Sequence, residues 1–203
     1  MIDLSNNNRG AIDAVRLRKA GQERVYLKLT EGSGFVDRTH ASRRAALVKA
    51  GLRVGEYHFA RPSSNTPAEE ARFFLEHLPK LTKRSSLRPC LDLEDPDASP
   101  TSRIGRWALK WIELVHRESG HVVVIYGSPS YLLDCHLVGP PAPLWLASYG
   151  RNDGREHRFQ IPRPWRRVAA HQYASVARVA GVVGPVDISH VFRASDLDVA
   201  VTR

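Results

Sequence analysis

Cys90-Leu91-Asp92-Leu93-Glu94-Asp95 is an apolar run of strand length that carries acids at alternate positions. In an extended chain successive side chains point to opposite faces, so Asp92 and Glu94 share one face while Leu91 and Leu93 share the other. Two residues of strand advance roughly 6.5 Å, close enough for two carboxyls to raise each other's proton affinity. The leucine face needs a second layer to bury it, and the acidic face must open onto solvent or a cleft. Parallel strands capped by helices meet both demands when the acids lie at the C-terminal end of the strand, where β/α barrels place their active sites.

Working outward, short apolar runs alternate with helix-length amphipathic stretches along the chain. Strands are predicted at 2–4, 25–29, 54–59, 90–93, 122–126, 144–147, 169–173 and 186–188, and eight is the count that closes a barrel. Helices are predicted at 12–20, 39–50, 67–77 and 102–118. In the last of these Ile104, Trp107, Trp111 and Leu114 recur at helical spacing, with Ser102 placed to cap its start and Gly120 following its end. The two tryptophans read as core. Pro140, Pro141, Pro143, Pro162 and Pro164 interrupt the second half, so helices are expected to be scarcer there. The fold expected is α/β: a distorted or incomplete (β/α)8 TIM-like barrel forming one domain over residues 1–203, with no separate binding module.

Composition narrows the function classes. With 42% apolar residues over 203 positions the chain can bury one substantial core, and no apolar run reaches the roughly 20 residues needed to span a bilayer. Membrane insertion is not expected. Thirty Lys and Arg against 21 Asp and Glu leave a formal charge of +9, which favours polyanions without choosing among them. The basic residues are scattered and no recognition helix, RNP-like motif or metal-finger spacing accompanies them, so nucleic acid is not the expected partner. Cys90 and Cys135 stand far apart and read as buried thiols.

The polar residues at predicted strand ends are mostly acids: Asp3 on the first strand, Glu31 after the second, Asp92 and Glu94 on the fourth and Asp187 on the last. Asp92 and Glu94 supply the pair that glycoside cleavage needs, one carboxyl to protonate the leaving oxygen and one to act at the anomeric side. His58 and His171 lack HExxH or any paired spacing and read as packing or groove residues, not metal ligands. Ser128 and Ser130 have no GxSxG elbow.

The segments MIDLSNNN (1–8), LKLTEGSGFVD (27–37), VGEYHFARP (54–62), PCLDLED (89–95), VVIYGSPSYL (123–132), LWLASYG (144–150), AAHQYAS (169–175) and GPVDISHVF (184–192) follow one another in an order that resembles family 25 glycoside hydrolases, the N-acetylmuramidases. The resemblance implies hydrolysis of the β-1,4 bond between N-acetylmuramic acid and N-acetylglucosamine in peptidoglycan, without metal or cofactor. It assigns Glu94 as general acid and Asp92 as the carboxylate assisting at the anomeric side. Asp3 and Asp187 complete the cluster by orienting substrate, tuning Glu94 or positioning water. It places Tyr57, Tyr126, Trp145 and Tyr173 along the groove and Lys28 inward among the acids. The motif Thr30-Glu31-Gly32 is structural or substrate-flanking on the same resemblance, which leaves Glu31 outside the catalytic set.

Two other readings compete: a chitinase-like hydrolase or transglycosylase sharing the acids, and a non-catalytic peptidoglycan-binding module drawn to the wall by charge. The N-terminus has neither the basic start nor the apolar segment of a secretory signal. The expected setting is therefore a phage endolysin held in the host cytoplasm before release, or a secreted enzyme whose leader is missing. A monomer acting on peptidoglycan strands is expected.

Overall fold

The computed structural model describes residues 1–95, 97, 99–137 and 142–199. Along the chain run β1 (Ile2–Leu4), α1 (Ala14–Lys19), β2 (Arg24–Glu31), β3 (Phe35–Val36), α2 (His40–Lys49), β4 (Arg53–Phe59), α3 (Pro67–His77), β5 (Cys90–Asp92), α4 (Ser102–Ser119), β6 (Val124–Gly127), α5 (Pro129–Asp134), β7 (Leu144–Ala147), β8 (Ala170–Ala177), β9 (Val186–Val191) and α6 (Ala194–Leu197). Strands are ordered β1-β9-β8-β7-β6-β5-β4-β2-β3, and pairing of β1 with β2 closes eight of them into a barrel. The short β3 folds back antiparallel on the end of β2 and lies outside the ring. All eight predicted strands are present.

The barrel is distorted in a definite way. Within the ring, neighbouring strands from β1 through β8 are parallel, β3 being outside it, but β9 is antiparallel to both β8 and β1. Its first residues therefore lie at the end of the barrel where the other strands finish. Among the described residues no helix separates β7 from β8 or β8 from β9, in keeping with the prolines at 143, 162 and 164. Pro140 and Pro141 lie outside the described residues.

Local chemistry sets the helix bounds. α1 starts two residues later than predicted because Asp13 caps it, its carboxylate accepting the Arg16 N–H at 2.9 Å. At α3 a reciprocal box joins Thr66 and Glu69, with Pro67 in the first turn. The cap of α4 is Thr101, not Ser102, and neither hydroxyl accepts a backbone N–H there. Gly120 ends that helix in the left-handed conformation, φ 71°, as its position suggested. α5 was not foreseen: Ser128 caps it, accepting the Tyr131 N–H at 3.3 Å, which gives that serine a structural role.

The main core lies between barrel and helices. Leu91 and Leu93 are fully buried there with Ile104, Trp107, Trp111 and Phe74, as the leucine face of the opening motif requires. Trp107 donates its indole N–H to the Asn65 carbonyl at 2.8 Å. His58 also faces this layer, stacked on Trp111 at 5.2 Å and bonded to Thr30 Oγ1 at 2.8 Å and Glu70 Oε2 at 2.7 Å. Cys90 and Cys135 are both buried free thiols.

One contact makes a stability test. An alanine Cβ at Gly105 would lie 2.0 Å from the Cys135 carbonyl oxygen, a backbone atom that cannot swing aside. Alanine normally gains about 0.5–1 kcal/mol over glycine within a helix, whereas overpacking of this kind costs about 1–3 kcal/mol. Gly105→Ala is therefore expected to lower the urea midpoint, and a raised midpoint would contradict the packing described.

Candidate active site

Four carboxylates converge on one cleft of about 280 Å³ at the mouth of the barrel, lined by Asp3, Asp92, Glu94 and Asp187 together with Lys28, Tyr57, Tyr126 and Trp145. Eight of the nine sequence-derived site residues are thus brought together. Asp3 sits mid-β1 and pairs directly with Asp187 across the antiparallel β1–β9 ladder. Asp187 reaches the mouth only because β9 runs opposite to the rest. Asp92 ends β5 and Glu94 follows two residues on, both on the cleft side as alternation required.

Their environment favours protons. Burial pushes Asp3 well above the ordinary carboxylate range, and repulsion from Asp187 adds to it against a hydrogen bond from Gln172. Asp92 is raised in the same way, by burial first and then by Glu94 and Asp3. Asp187 is raised by burial. Glu94 as a residue is exposed at the cleft rim, yet its carboxyl is walled by protein on the concave side. Burial there and the Asp187 charge lift it to about 7, with Lys28 pulling the other way. Glu94 is consequently both reachable by a large substrate and able to hold a proton near neutrality.

Asp92 Oδ1 is buried and has no hydrogen-bond partner in the protein. A carboxylate oxygen left so in a cleft is an acceptor awaiting a donor. Asp3 is differently placed. Gln172 donates its amide N–H to Asp3 Oδ2 at 2.8 Å, while its carbonyl accepts hydroxyls from Tyr126 at 2.7 Å and Tyr149 at 2.6 Å. Two phenols fix the amide orientation, and the amide fixes Asp3.

The aromatic residues divide by role. Trp145 is only 2% exposed. It is stacked on Tyr26 at 4.9 Å and edged by Tyr126 at 4.8 Å, and it donates to Ser189 Oγ at 2.9 Å. It therefore forms the cleft floor. Tyr57 and the half-buried Tyr149 stand at its wall. Tyr173 does not line this cleft: it shares the outward face of β8 with His171, 6.3 Å away, and Gln172 between them takes the inward position. His171 is likewise outward, bonded to the Ser148 carbonyl at 2.8 Å and Glu156 at 3.3 Å. Sequence reasoning missed Gln172, Tyr149, Ser5, Asn7, Asn8 and Phe59, all of which line the cleft. The signal for Gln172 was its parity within the strand. Among the described residues no group of His, Cys, Asp and Glu is arranged to hold a metal ion.

The profile of glycosyl hydrolases family 25 matches residues 2–182. The chain belongs to family 25. Asp187 lies beyond the matched segment. Among relatives of this family-25 chain, lysozyme M1 of Streptomyces globisporus is 26% identical over 92% of the chain, and a lysozyme of Streptococcus phage Cp-9 is 27% identical over 75% of it. The chain spans 65% and 44% of the lengths of those two proteins. The crystal structure of a bacterial lysozyme from Streptomyces coelicolor superposes with a TM-score of 0.84 at 25% identity, covering 97% of this chain and 93% of that one.

Proposed function

We propose that this family-25 chain is a muramidase that hydrolyses the β-1,4 bond between N-acetylmuramic acid and N-acetylglucosamine in peptidoglycan. The observation that carries the proposal is the pairing of a proton-holding Glu94 with an unpartnered, buried Asp92 oxygen in one cleft. Glu94 gives its proton to the glycosidic oxygen as the C–O bond breaks. Positive charge then grows at the anomeric carbon, and the neighbouring acetamido carbonyl oxygen can close on it, a route open to N-acetylated sugars. Asp92 accepts the acetamido N–H through its unpartnered oxygen and so orients the carbonyl for that closure. Water, deprotonated by the now ionised Glu94, opens the ring intermediate and leaves a reducing end. Asp3, held by Gln172, and Asp187 complete the cleft, and Asp187 helps to keep the proton on Glu94.

The relatives include a bacterial and a phage lysozyme. Rates on purified peptidoglycan and on chitin oligosaccharides separate this reading from a chitinase: turnover of peptidoglycan with little on chitin is expected, and the reverse would reassign the substrate. A titration adds a second check. The active form has Glu94 protonated, so kcat/KM is expected to fall as pH rises through the Glu94 pKa of about 7. An alkaline limb near the ordinary carboxylate value would show that the cleft does not hold the proton on Glu94 as described.

A further inference from the structure

Lys28 and Glu31 are three residues apart on one strand, and strict alternation would send their side chains to opposite faces. The structure brings them together instead. Pairing of β2 with β4 runs Lys28 to Tyr57 and then Thr30 to His58, a β-bulge that leaves Leu29 without a partner. The bulge resets the phase of the strand, so that Leu29 enters the outer core, Thr30 meets the outward His58, and Glu31 returns to the side of Lys28. There the Glu31 carboxylate accepts from the Lys28 ammonium through one oxygen and from Arg61 through the other, Nε at 2.9 Å and Nη2 at 2.6 Å.

Arg61 is itself held. Its backbone N–H donates to Glu70 at 3.1 Å, and its Nη1 reaches Asp95, beside Glu94, at 3.2 Å. Lys28 is only 8% exposed, with its ammonium 4.8 Å from the Phe59 ring centre and 5.4 Å from that of Phe35. Two rings and one carboxylate therefore fix a cation in the wall of the cleft.

We infer that Glu31 is a positioning residue for the cleft chemistry, aimed by the β2 bulge so that, shared between Lys28 and Arg61, it sets where the Lys28 charge sits and how much of it the catalytic acids feel. The inference rests on the muramidase reading and the role of Glu94 within it. Lys28 lowers the proton affinity of both Asp92 and Glu94. Glu31 itself is held below the ordinary range: burial would raise it, but hydrogen bonds from Lys28 and Arg61 outweigh that. It is therefore ionised at neutral pH. The other titratable groups facing this trio are Asp3 of β1, His58 of β4, Glu70 of α3, Asp92, Glu94 and Asp95 at the end of β5, Asp97 beyond it, which accepts from Arg61 Nη1 at 3.0 Å, and Asp187 of β9. Tyr57, Tyr126 and Tyr149 are raised by burial and stay neutral.

Two substitutions on one ion pair then act in opposite senses. Glu31→Gln removes a negative charge and frees that of Lys28, so Glu94 loses its proton more readily and the alkaline limb of kcat/KM moves to lower pH. Arg61→Gln leaves Glu31 wholly to Lys28, muting the cation, and the limb moves to higher pH. Each shift is expected to be about one pH unit, tenfold in rate on that limb. The measurement is the pH dependence of kcat/KM for both variants and the parent on soluble peptidoglycan fragments, with thermal melts to confirm folding. Opposite shifts support the inference. Limbs that stay in place while rates fall uniformly, or that move in the same direction, overturn it. If Glu31→Gln does not fold, the upward shift in Arg61→Gln carries the test, and its absence is a refutation. Glu94→Gln separates the two levels: if that variant keeps its activity the muramidase mechanism fails, whereas if it is inactive and the Glu31 and Arg61 limbs stay in place, only the inference about Glu31 fails.

Discussion

Glu94→Gln is expected to abolish most of the turnover of peptidoglycan while leaving the fold intact. The amide matches the carboxyl in shape but has no proton of suitable acidity to give, and loss of a positioned general acid costs on the order of 10²–10⁴-fold. Glu94 is exposed at the rim, so its substitution opens no cavity and leaves no buried group unpaired. Circular dichroism and the thermal midpoint should match those of the parent, and kcat should fall with little change in KM, because the lost interaction operates only in the transition state. Parent-like activity in a folded Glu94→Gln protein would remove Glu94 from the mechanism.

Asp92→Asn is the second large effect. Here the donor to the glycosidic oxygen is untouched, but the amide presents an N–H where, in the mechanism proposed, the acetamido group needs an acceptor. A loss on the order of 10²-fold in kcat is expected, comparable to removal of one preorganised electrostatic contact. The unpartnered Oδ1 sharpens the expectation: nothing in the protein leans on that atom, so its removal should leave stability near that of the parent. Kinetics on glycans whose acetamido groups have been removed give the complementary reading. On these the difference between Asp92→Asn and the parent should nearly vanish if Asp92 acts through the acetamido group. A persistent difference would assign Asp92 directly to the anomeric carbon.

These residues were legible in the sequence because the pattern that carries them is local. Alternation in Leu91-Asp92-Leu93-Glu94 needs only an extended backbone to separate leucines from acids, and the structure places Leu91 and Leu93 in the core and both acids on the cleft. The strands were legible for the same reason, each being a short apolar run bounded by turn residues. What alternation cannot carry is direction or phase across an irregularity. It does not say that β9 runs antiparallel, although that reversal is what delivers Asp187 to the mouth beside Asp3. Nor does it reveal the bulge at Leu29, and without the bulge Glu31 reads as a residue facing away from Lys28. Tyr173 was assigned to the groove by resemblance, but the parity of β8 turns it outward and gives its place to Gln172. The short α5 and α6 escaped because six and four residues are too few to display a helical period.

In the mechanism proposed, Glu94 cleaves the glycan on the reducing side of N-acetylmuramic acid. Mass spectrometry of borohydride-reduced fragments released from purified peptidoglycan, by the parent and by Glu94→Gln, tests it most directly. Reduced muramic acid ends from the parent and almost none from Glu94→Gln are expected. Anhydro ends would make the enzyme a transglycosylase, reduced glucosamine ends would place the cut at the other bond, and no release by either protein would contradict catalysis altogether and leave a wall-binding module.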